Sequence, residues 1–346
     1  MRNSSRIVDV ADDARAAFED IYARGWTDGL PVIPPKAEYV QEMLDTNGLN
    51  RDEVVATLAP DGAAATVEKI AINAVMAGCR NDYLPVLIAA VKAIAQPQFN
   101  LLWVQATTNP VAPLVVINGP LRSRLDLNCG RGALGPGRRA NATIGRALRL
   151  IMVNIGGGSP GDIDKAVLGQ PAKYSFCMGE MEEDHPWEPL HVELGYQREQ
   201  SVVSVIGVQG LTSIRTPFSK PESILAMIAN AMTVYGNNSY NNSTGNPVLV
   251  FTPGYANLFH HAGWPKLRIK EWLYEHTKVP RSLLPTESSQ TQHRRPKIDA
   301  GGDRLCICTE PDDIKIIVAG SSEPYHMTYL PSAGSTDLAA QPIVIP

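Results

Sequence analysis

An acidic stretch with two histidines is the part of the chain best equipped for chemistry. Residues 177–193 hold six acidic side chains and two histidines, and no Lys or Arg occurs from Tyr174 to Gln197. Crowded carboxylates repel one another, so some should titrate abnormally or share a cation. An acidic surface loop is the alternative, because runs of charge are usually solvated. Trp187 and Leu190 argue against a fully solvated loop, since both side chains favour burial.

Within this stretch, three residues are candidates for catalysis. His191-Val192-Glu193 predicts the start of a strand, which would place His191 and Glu193 on one face. A histidine and a carboxylate side by side can serve as an acid/base pair or as metal ligands. Glu183 is the third candidate.

A glycine-rich loop predicts an anion site. Residues 128–137 are rich in glycine and lead into a predicted helix that begins near Arg138. Free backbone N–H groups, the helix dipole and guanidinium groups all attract anions at such a junction. We therefore expect Arg139, Asn141 and Arg146 to bind the substrate. Alternatively, the arginines pair with the acidic stretch, and both can hold if the two segments face each other across one cleft.

Two further residues are site candidates. Cys79 lies between two predicted buried helices, where a small core thiol is the simpler interpretation. The neighbouring Arg80 could instead lower the pKa of the thiol and make it a nucleophile. His260 and His261 would point about 100° apart on a helix, so only one of them can face a site. We take His261 as a substrate-binding candidate.

A divalent metal ion is a possible cofactor, but the sequence provides no complete ligand set. A catalytic zinc would need a third protein ligand beside His191 and Glu193, supplied by Glu183, His185 or His261. Carboxylates with bound water would suit a harder cation. We favour acid/base chemistry without a metal.

Composition limits the partners and the compartment. The chain has 346 residues, a formal net charge of -4 and no basic tract, so a nucleic-acid partner is not expected. No apolar run approaches the roughly 20 residues that cross a bilayer, and no membrane partner is expected. The five cysteines are scattered and odd in number, which favours free thiols in a reducing compartment. We expect a cytoplasmic homo-oligomer that acts on a small molecule.

The elements that would position these residues predict an α/β fold. Apolar runs at 114–117, 248–251 and 314–318 each lead into a Gly- or Pro-containing loop, and helical patterns lie between them. Ligands of α/β proteins bind at such loops. We expect mixed or mostly parallel sheets flanked by helices, as one large domain or two closely packed halves, 1–160 and 161–346. Residues 66–77 predict a helix capped by Thr66, and residues 101–104 predict a strand.

Several segments together resemble a known family. They are GWTDGLP at 25–31, AINAVMAGC at 71–79, PGRRANATIGRA at 136–147, Glu183 with Pro186-Trp187 and Pro189-Leu190-His191, and His261 with Gly263-Trp264. They resemble a poorly characterised bacterial family associated with small proteins that carry a Cys- or selenocysteine-Gly-Ser-Cys motif. The resemblance spans most of the chain. It implies a possible thiol or selenol protein partner and no particular reaction.

These residues favour a small-molecule enzyme. The predicted reaction is hydrolytic or lyase cleavage of a carbon–heteroatom bond, because the candidates supply proton transfer and charge stabilisation and no redox cofactor motif is present. One alternative is a subunit of a thiol or selenol redox system in which Cys79 or Cys129 exchanges with a partner. Another is a binding subunit without catalysis.

Overall fold

The computed structural model describes residues 5, 7–10, 12–234, 236–237, 239–240, 245–283 and 303–345. The polar segment 284–302, where the sequence predicts an excursion from the core, lies outside them. The helices are α1 (Ala14–Ala23), α2 (Ala37–Asn47), α3 (Val67–Ala77), α4 (Leu84–Ile94), α5 (Leu101–Gln105), α6 (Leu121–Arg124), α7 (Arg139–Asn154), α8 (Leu190–Glu193), α9 (Pro221–Met232), α10 (Pro253–His261) and α11 (Lys266–His276). The strands are β1 (Val54–Leu58), β2 (Ala63–Thr66), β3 (Ala112–Asn118), β4 (Cys177–Gly179), β5 (Val202–Val208), β6 (Thr212–Arg215), β7 (Val248–Phe251), β8 (Val279–Pro280), β9 (Arg304–Leu305), β10 (Lys315–Val318), β11 (His326–Leu330) and β12 (Ala339–Pro342).

Two four-stranded mixed sheets form the centre of the fold. Their strand orders are β12-β5-β3-β4 and β10-β7-β11-β6. In the first sheet, β3 runs parallel to β4 and antiparallel to β5. In the second, β7 runs parallel to β10 and antiparallel to β11. The predicted α/β class, with mixed sheets flanked by helices, is confirmed. The proposed boundary at residue 160 falls between α7 and β4.

The two sheets have the same arrangement of parallel and antiparallel neighbours. In each sheet, one edge strand comes from the part of the chain that forms the other sheet. β5 is followed by β6, which pairs with β11, whereas β11 is followed by β12, which pairs with β5. The registers correspond as well. Central residues lie opposite equivalent partners in the two sheets: Ile117 opposite Gly179 and Val203, and Phe251 opposite Val318 and Met327. Neither sheet is complete without the exchanged strand.

The carboxyl ends of the two parallel strand pairs meet at a seam. The backbone N–H of Met181, just after β4, donates to the carbonyl of Val318 at the end of β10 over 2.8 Å. The N–H of Gly320 donates to the carbonyl of Cys129 over 2.9 Å. Loops that follow parallel strands are the usual ligand sites of α/β folds, so the seam is where a site is expected.

Helices α3, α4 and α7 pack together beside the first sheet. Helix α3 begins where predicted, because the Thr66 side chain accepts a hydrogen bond from the Lys69 N–H over 3.3 Å. It ends at Gly78, whose φ of 87° is a left-handed conformation that glycine adopts without strain. Most residues of α4 are buried, as its apolar sequence predicts.

The strand predicted at 101–104 is wrong. These residues form helix α5, which begins after Asn100 at a φ of 52° and forms a helical hydrogen bond from the Val104 N–H to the Asn100 carbonyl. A short apolar run has no periodicity that separates a buried strand from a buried helical turn.

All five cysteines are free, as predicted, and all five are buried. Within the described residues, no single helix is long and apolar enough to cross a membrane. The helical segments Asn81–Ile94 and Pro97–Gln105, bent by 73° between them, meet the length and composition criterion only as a pair.

Candidate functional site

A cavity of about 370 Å³ lies beside the carboxyl ends of β3 and β4. The residues that line it come from α6, the glycine-rich loop and the acidic stretch. They are Arg122, Ser123, Asp126, Leu127, Asn128, Cys129, Gly130, Arg138, Met181 and Glu183. The side chains that line the cavity therefore include two arginines, two carboxylates and a thiol.

Arg122 organises this cavity from a buried position. Its guanidinium donates to the Gly119 carbonyl over 2.9 Å, to the Glu180 carbonyl over 2.5 Å and to the Glu183 carboxylate over 2.9 Å. Its Nε also lies 3.1 Å from a carboxylate oxygen of Glu182. The Arg122 guanidinium thus contacts the turn after β3 and three residues of the acidic stretch, Glu180, Glu182 and Glu183.

Gly119 makes this arrangement possible. Its φ of 84° turns the chain directly from β3 into α6, and a Cβ atom here would overlap the Gln200 carbonyl. The Gly119 N–H donates to Glu182 over 2.8 Å. Arg122 therefore follows the strand closely enough to reach the acidic stretch.

Glu180 connects the two sheets from a fully buried position. One carboxylate oxygen accepts from the Val318 N–H over 3.2 Å, and the other accepts from the Asn118 side-chain amide over 2.7 Å and from the Leu190 N–H over 2.8 Å. Burial raises the pKa of Glu180, while the charge of Lys266 and the three donors act in the opposite direction. A buried acceptor with three donors is a structural group at the seam.

Glu183 is an accessible carboxylate of the cavity, with 58% of its side chain exposed. Partial burial acts to raise its pKa, but the hydrogen bonds and charge of Arg122 outweigh this and hold the pKa of Glu183 below its usual value. Glu183 is consequently ionised at neutral pH and able to accept a proton.

Cys129 places a thiol at the wall of the same cavity. Its Sγ lies 3.6 Å from Nη1 of Arg122. Burial raises the pKa of Cys129, and the nearby guanidinium offsets this only in part. The group is therefore a protonated thiol at neutral pH.

His185 follows Glu183 by two residues and does not line the cavity. Its Nδ1 accepts from the Trp187 N–H over 3.2 Å. Burial, with a smaller contribution from the charge of Lys266, lowers the pKa of His185 to about 4. The imidazole is neutral at physiological pH. Trp187 and Leu190 are buried, as their apolar side chains led us to expect.

The arginines predicted to bind an anion are engaged elsewhere. Arg139 donates to the carbonyls of Gly78 and Cys79. Arg146 forms a bidentate pair with Asp28, with both contacts at 2.8 Å. Neither lines the cavity, whereas the neighbouring Arg138 does. Arg138 and Glu183 thus line one cavity, where the glycine-rich loop and the acidic stretch face each other.

Asn141 supports the cavity rather than facing it. Its side-chain oxygen accepts from the Asn128 N–H over 2.8 Å, and its amide nitrogen donates to the carbonyls of Asn128, Ala133 and Cys177. Because the side chain is buried and fully hydrogen-bonded, its effect on a ligand is indirect. It fixes the glycine-rich loop against α7 and β4.

The strand predicted for His191 to Glu193 is wrong. Pro189 is followed by the single helical turn α8, in which residues two apart point in nearly opposite directions. His191 is fully buried and its Nε2 lies 3.3 Å from the Arg198 carbonyl. Glu193 pairs with Lys266 and Lys270. The two side chains do not form the adjacent pair that we expected, and neither lines the cavity.

Cys79 and His261 also lie away from the cavity. Cys79 is buried and donates to the Thr143 carbonyl over 3.4 Å, and burial raises its pKa to about 12. This is the environment of a core thiol, not of an activated nucleophile. His261 is exposed in the last turn of α10, with its ring next to that of His260.

Arg122 was missing from the sequence prediction. Its only local sign is that it follows a buried strand and the Gly119-Pro120 pair, at the position where α/β proteins place site residues. In the part of the chain that the structure describes, no group of three or more His, Cys, Asp or Glu side chains is arranged to hold a metal ion.

Comparisons with protein-family models, with curated proteins and with solved structures found no match.

Replacing Glu180 tests its role at the seam. Glu180→Gln replaces one carboxylate oxygen by an amide N–H₂ group. A buried backbone N–H that now donates to this oxygen then has no acceptor. We expect the free energy of unfolding to fall by about 1–3 kcal/mol in urea titrations. Glu199→Gln, at an exposed position, is the matched control and should leave it unchanged. Equal stability of both variants would rule out this role.

The Glu183–Arg122 pair should make stability pH-dependent. A carboxyl group whose folded pKa is lowered stabilises the protein above its unfolded pKa of about 4.3, and this contribution is lost as the pH falls through the folded pKa. The stability difference between wild type and Glu183→Gln should therefore be largest near neutral pH and shrink towards about pH 3. Urea unfolding across this range measures the difference. A stability difference between the two proteins that stays constant or grows on acidification would contradict the Glu183–Arg122 pair.

Proposed function

We propose that the protein is a small-molecule enzyme that cleaves a carbon–heteroatom bond of a polar or anionic substrate, by hydrolysis or elimination, in the cavity beside Arg122. One observation carries this proposal. The carboxylate of Glu183 and the thiol of Cys129 contact the same guanidinium at the wall of a cavity of about 370 Å³. A base, a cation and a second polar group therefore face one ligand-sized space.

Glu183 is the proposed general base. Arg122 lowers the pKa of Glu183, so the carboxylate is ionised at neutral pH but is a weaker base than a free glutamate. Its exposure lets it take a proton from water during hydrolysis or from carbon during elimination. When Glu183 gains that proton its negative charge is lost. Arg122 can then direct more of its positive charge to an oxygen that becomes negative in the transition state.

Arg138 supplies a second positive charge at the opening. It pairs with Asp126 over 3.0 Å, and both side chains are more than half exposed. A carboxylate or phosphate of a substrate can compete with Asp126 for the guanidinium, because exposed ion pairs are weak. The anion-binding role that the sequence suggested for Arg139 is thus proposed for its neighbour.

A substrate screen tests the proposal. The protein is incubated with polar esters, amides, nitriles and β-substituted carboxylic acids, and consumption is followed by mass spectrometry. For a substrate found in this way, Glu183→Gln should lower kcat by about 100- to 10,000-fold, as expected for loss of a general base. Asp184→Asn, which changes the adjacent exposed carboxylate, should retain wild-type kcat.

Two results would count against this mechanism. Full kcat in Glu183→Gln would exclude Glu183 as the base, and a wild-type protein that consumes no compound of these classes would leave the proposed reaction without support. Activity that survives exhaustive chelation agrees with acid/base chemistry alone. Activity lost on chelation and restored by one divalent ion would add a metal to the mechanism.

The second candidate function is a subunit of a thiol or selenol redox system. The position of Cys129 at the cavity wall favours it, together with the resemblance to the family associated with Cys-Gly-Ser-Cys proteins. The raised pKa of Cys129 disfavours it, because thiol–disulfide exchange requires the thiolate. We therefore place it second.

A disulfide-bonded Cys-Gly-Ser-Cys peptide distinguishes the two functions. In the redox system, the Cys129 sulfur attacks one peptide sulfur, the peptide disulfide breaks and the second sulfur leaves as a thiolate. Mass spectrometry under non-reducing conditions should then detect a mixed disulfide that is absent from Cys129→Ser and present in Cys79→Ser. An adduct that forms equally in both variants would exclude Cys129 as the exchanging thiol.

A further inference from the structure

A second cavity, of about 340 Å³, lies at the amino end of β10 and shares no lining residue with the first. It is lined by Leu194, Asn246, Thr309, Glu310, Asp313, Lys315, Asp337 and Leu338. Lys315 is the first residue of β10 and supplies the only amine of this lining. The cavity thus combines one lysine with three carboxylates.

Lys315 belongs to a group of three neighbouring lysines in which it is bonded differently from the others. Lys266 and Lys270 both pair with the Glu193 carboxylate, and Lys270 also lies 3.4 Å from the carboxylate of Asp312. Lys315 donates to the backbone carbonyl of Asp312 over 2.6 Å. Over the described ranges, no carboxylate forms an ion pair with Lys315.

This environment raises the neutral fraction of the amine above that of an exposed lysine. Burial lowers the pKa of Lys315, and the positive charge of Lys270 lowers it further, although nearby carboxylates oppose the change. A lysine that is partly desolvated beside a second cation is a nucleophile towards carbonyl carbon. The cavity provides the space for such a carbonyl compound to reach the amine.

We propose that Lys315 is a carbonyl-reactive amine and that its cavity takes a small aldehyde or ketone. Three carboxylates surround the single lysine, so the compound should be neutral or carry an amino group, and an anionic keto acid should be disfavoured. This site is independent of the chemistry proposed for Glu183.

The reaction is a reversible condensation. The Lys315 nitrogen adds to the carbonyl carbon, a proton moves from nitrogen to oxygen, and the resulting hydroxyl leaves as water when an acid gives it a second proton. A carbon–nitrogen double bond replaces the carbon–oxygen bond, with no change in oxidation state. The carboxyl groups of Glu310 and Asp313 line the cavity and can relay these protons.

Reductive trapping tests the proposal on the intact protein. The protein is treated at neutral pH with a low concentration of glycolaldehyde and sodium cyanoborohydride, which reduces the imine to a stable secondary amine. Peptide mass spectrometry then gives the labelling rate of each lysine. We expect Lys315 to be labelled faster, by severalfold, than the exposed Lys165 and Lys220, since a lowered pKa raises the neutral fraction of the amine.

Two comparisons complete the test. Lys315→Arg keeps the positive charge and should remove the fast-labelled site while Lys165 and Lys220 react as before. Glyoxylate, an aldehyde that carries a carboxylate, should give a lower ratio of Lys315 to Lys165 labelling than glycolaldehyde does. Labelling of Lys315 at or below the rate of the exposed lysines would overturn the proposed reactivity, and a higher ratio with glyoxylate would overturn the proposed class of compound.

Discussion

The buried carboxylate of Glu180 is the interaction on which the centre of the molecule depends. It accepts one hydrogen bond from each of three elements, β3 through Asn118, β10 through Val318 and α8 through Leu190. Taking a carboxylate out of water is costly unless its oxygen atoms are satisfied, and here the two sheets satisfy it together. The acidic stretch is therefore not a solvated loop in its first half. It begins as the junction between the sheets, is exposed at Glu183 and Asp184, and is buried again at Trp187, Leu190 and His191.

Arg122 connects this junction to the cavity. Its guanidinium is buried, so its charge must be compensated locally, and Glu182 and Glu183 provide the compensation from two sides. Glu182 is almost fully buried while Glu183 reaches the cavity. One carboxylate therefore holds the cation in place, and the other remains accessible to a ligand. The same cation lies beside the thiol of Cys129, so a guanidinium, a carboxylate and a thiol lie together.

Sequence analysis predicted the elements that depend on local pattern. Strands β3, β7 and β10 follow from continuous apolar runs, and α3 follows from the cap at Thr66. Prediction failed at 101–104 and at His191 to Glu193, where runs of three or four residues are too short to show a period. Helix α5 begins after Asn100, whose φ is 52°, and α8 begins after Pro189.

The candidate site was predictable only in part, because many of its contacts join residues that are far apart in the sequence. Glu183 and the glycine-rich loop were identified because charge and glycine content are visible in the sequence. The partners of Arg139 and Arg146 were not, because Gly78 and Asp28 lie 61 and 118 residues away along the chain. Arg122 has no distinctive neighbours in sequence, and its role arises from the turn at Gly119 and the position of the acidic stretch. Tertiary contacts of this kind decide which of several similar arginines faces a cavity.

The exchange of β6 and β12 between the two sheets has a consequence for how the protein is made. The first sheet acquires its last strand only when Ala339 reaches Val205, across more than a hundred residues of intervening chain. During synthesis on a ribosome, β5 is therefore translated long before its outer neighbour, and the backbone donors and acceptors on its outer edge stay unpaired in the meantime. Closing such long loops is slow compared with local helix formation. This edge stays open until Ala339–Pro342 has been translated, and an open sheet edge can pair with other chains.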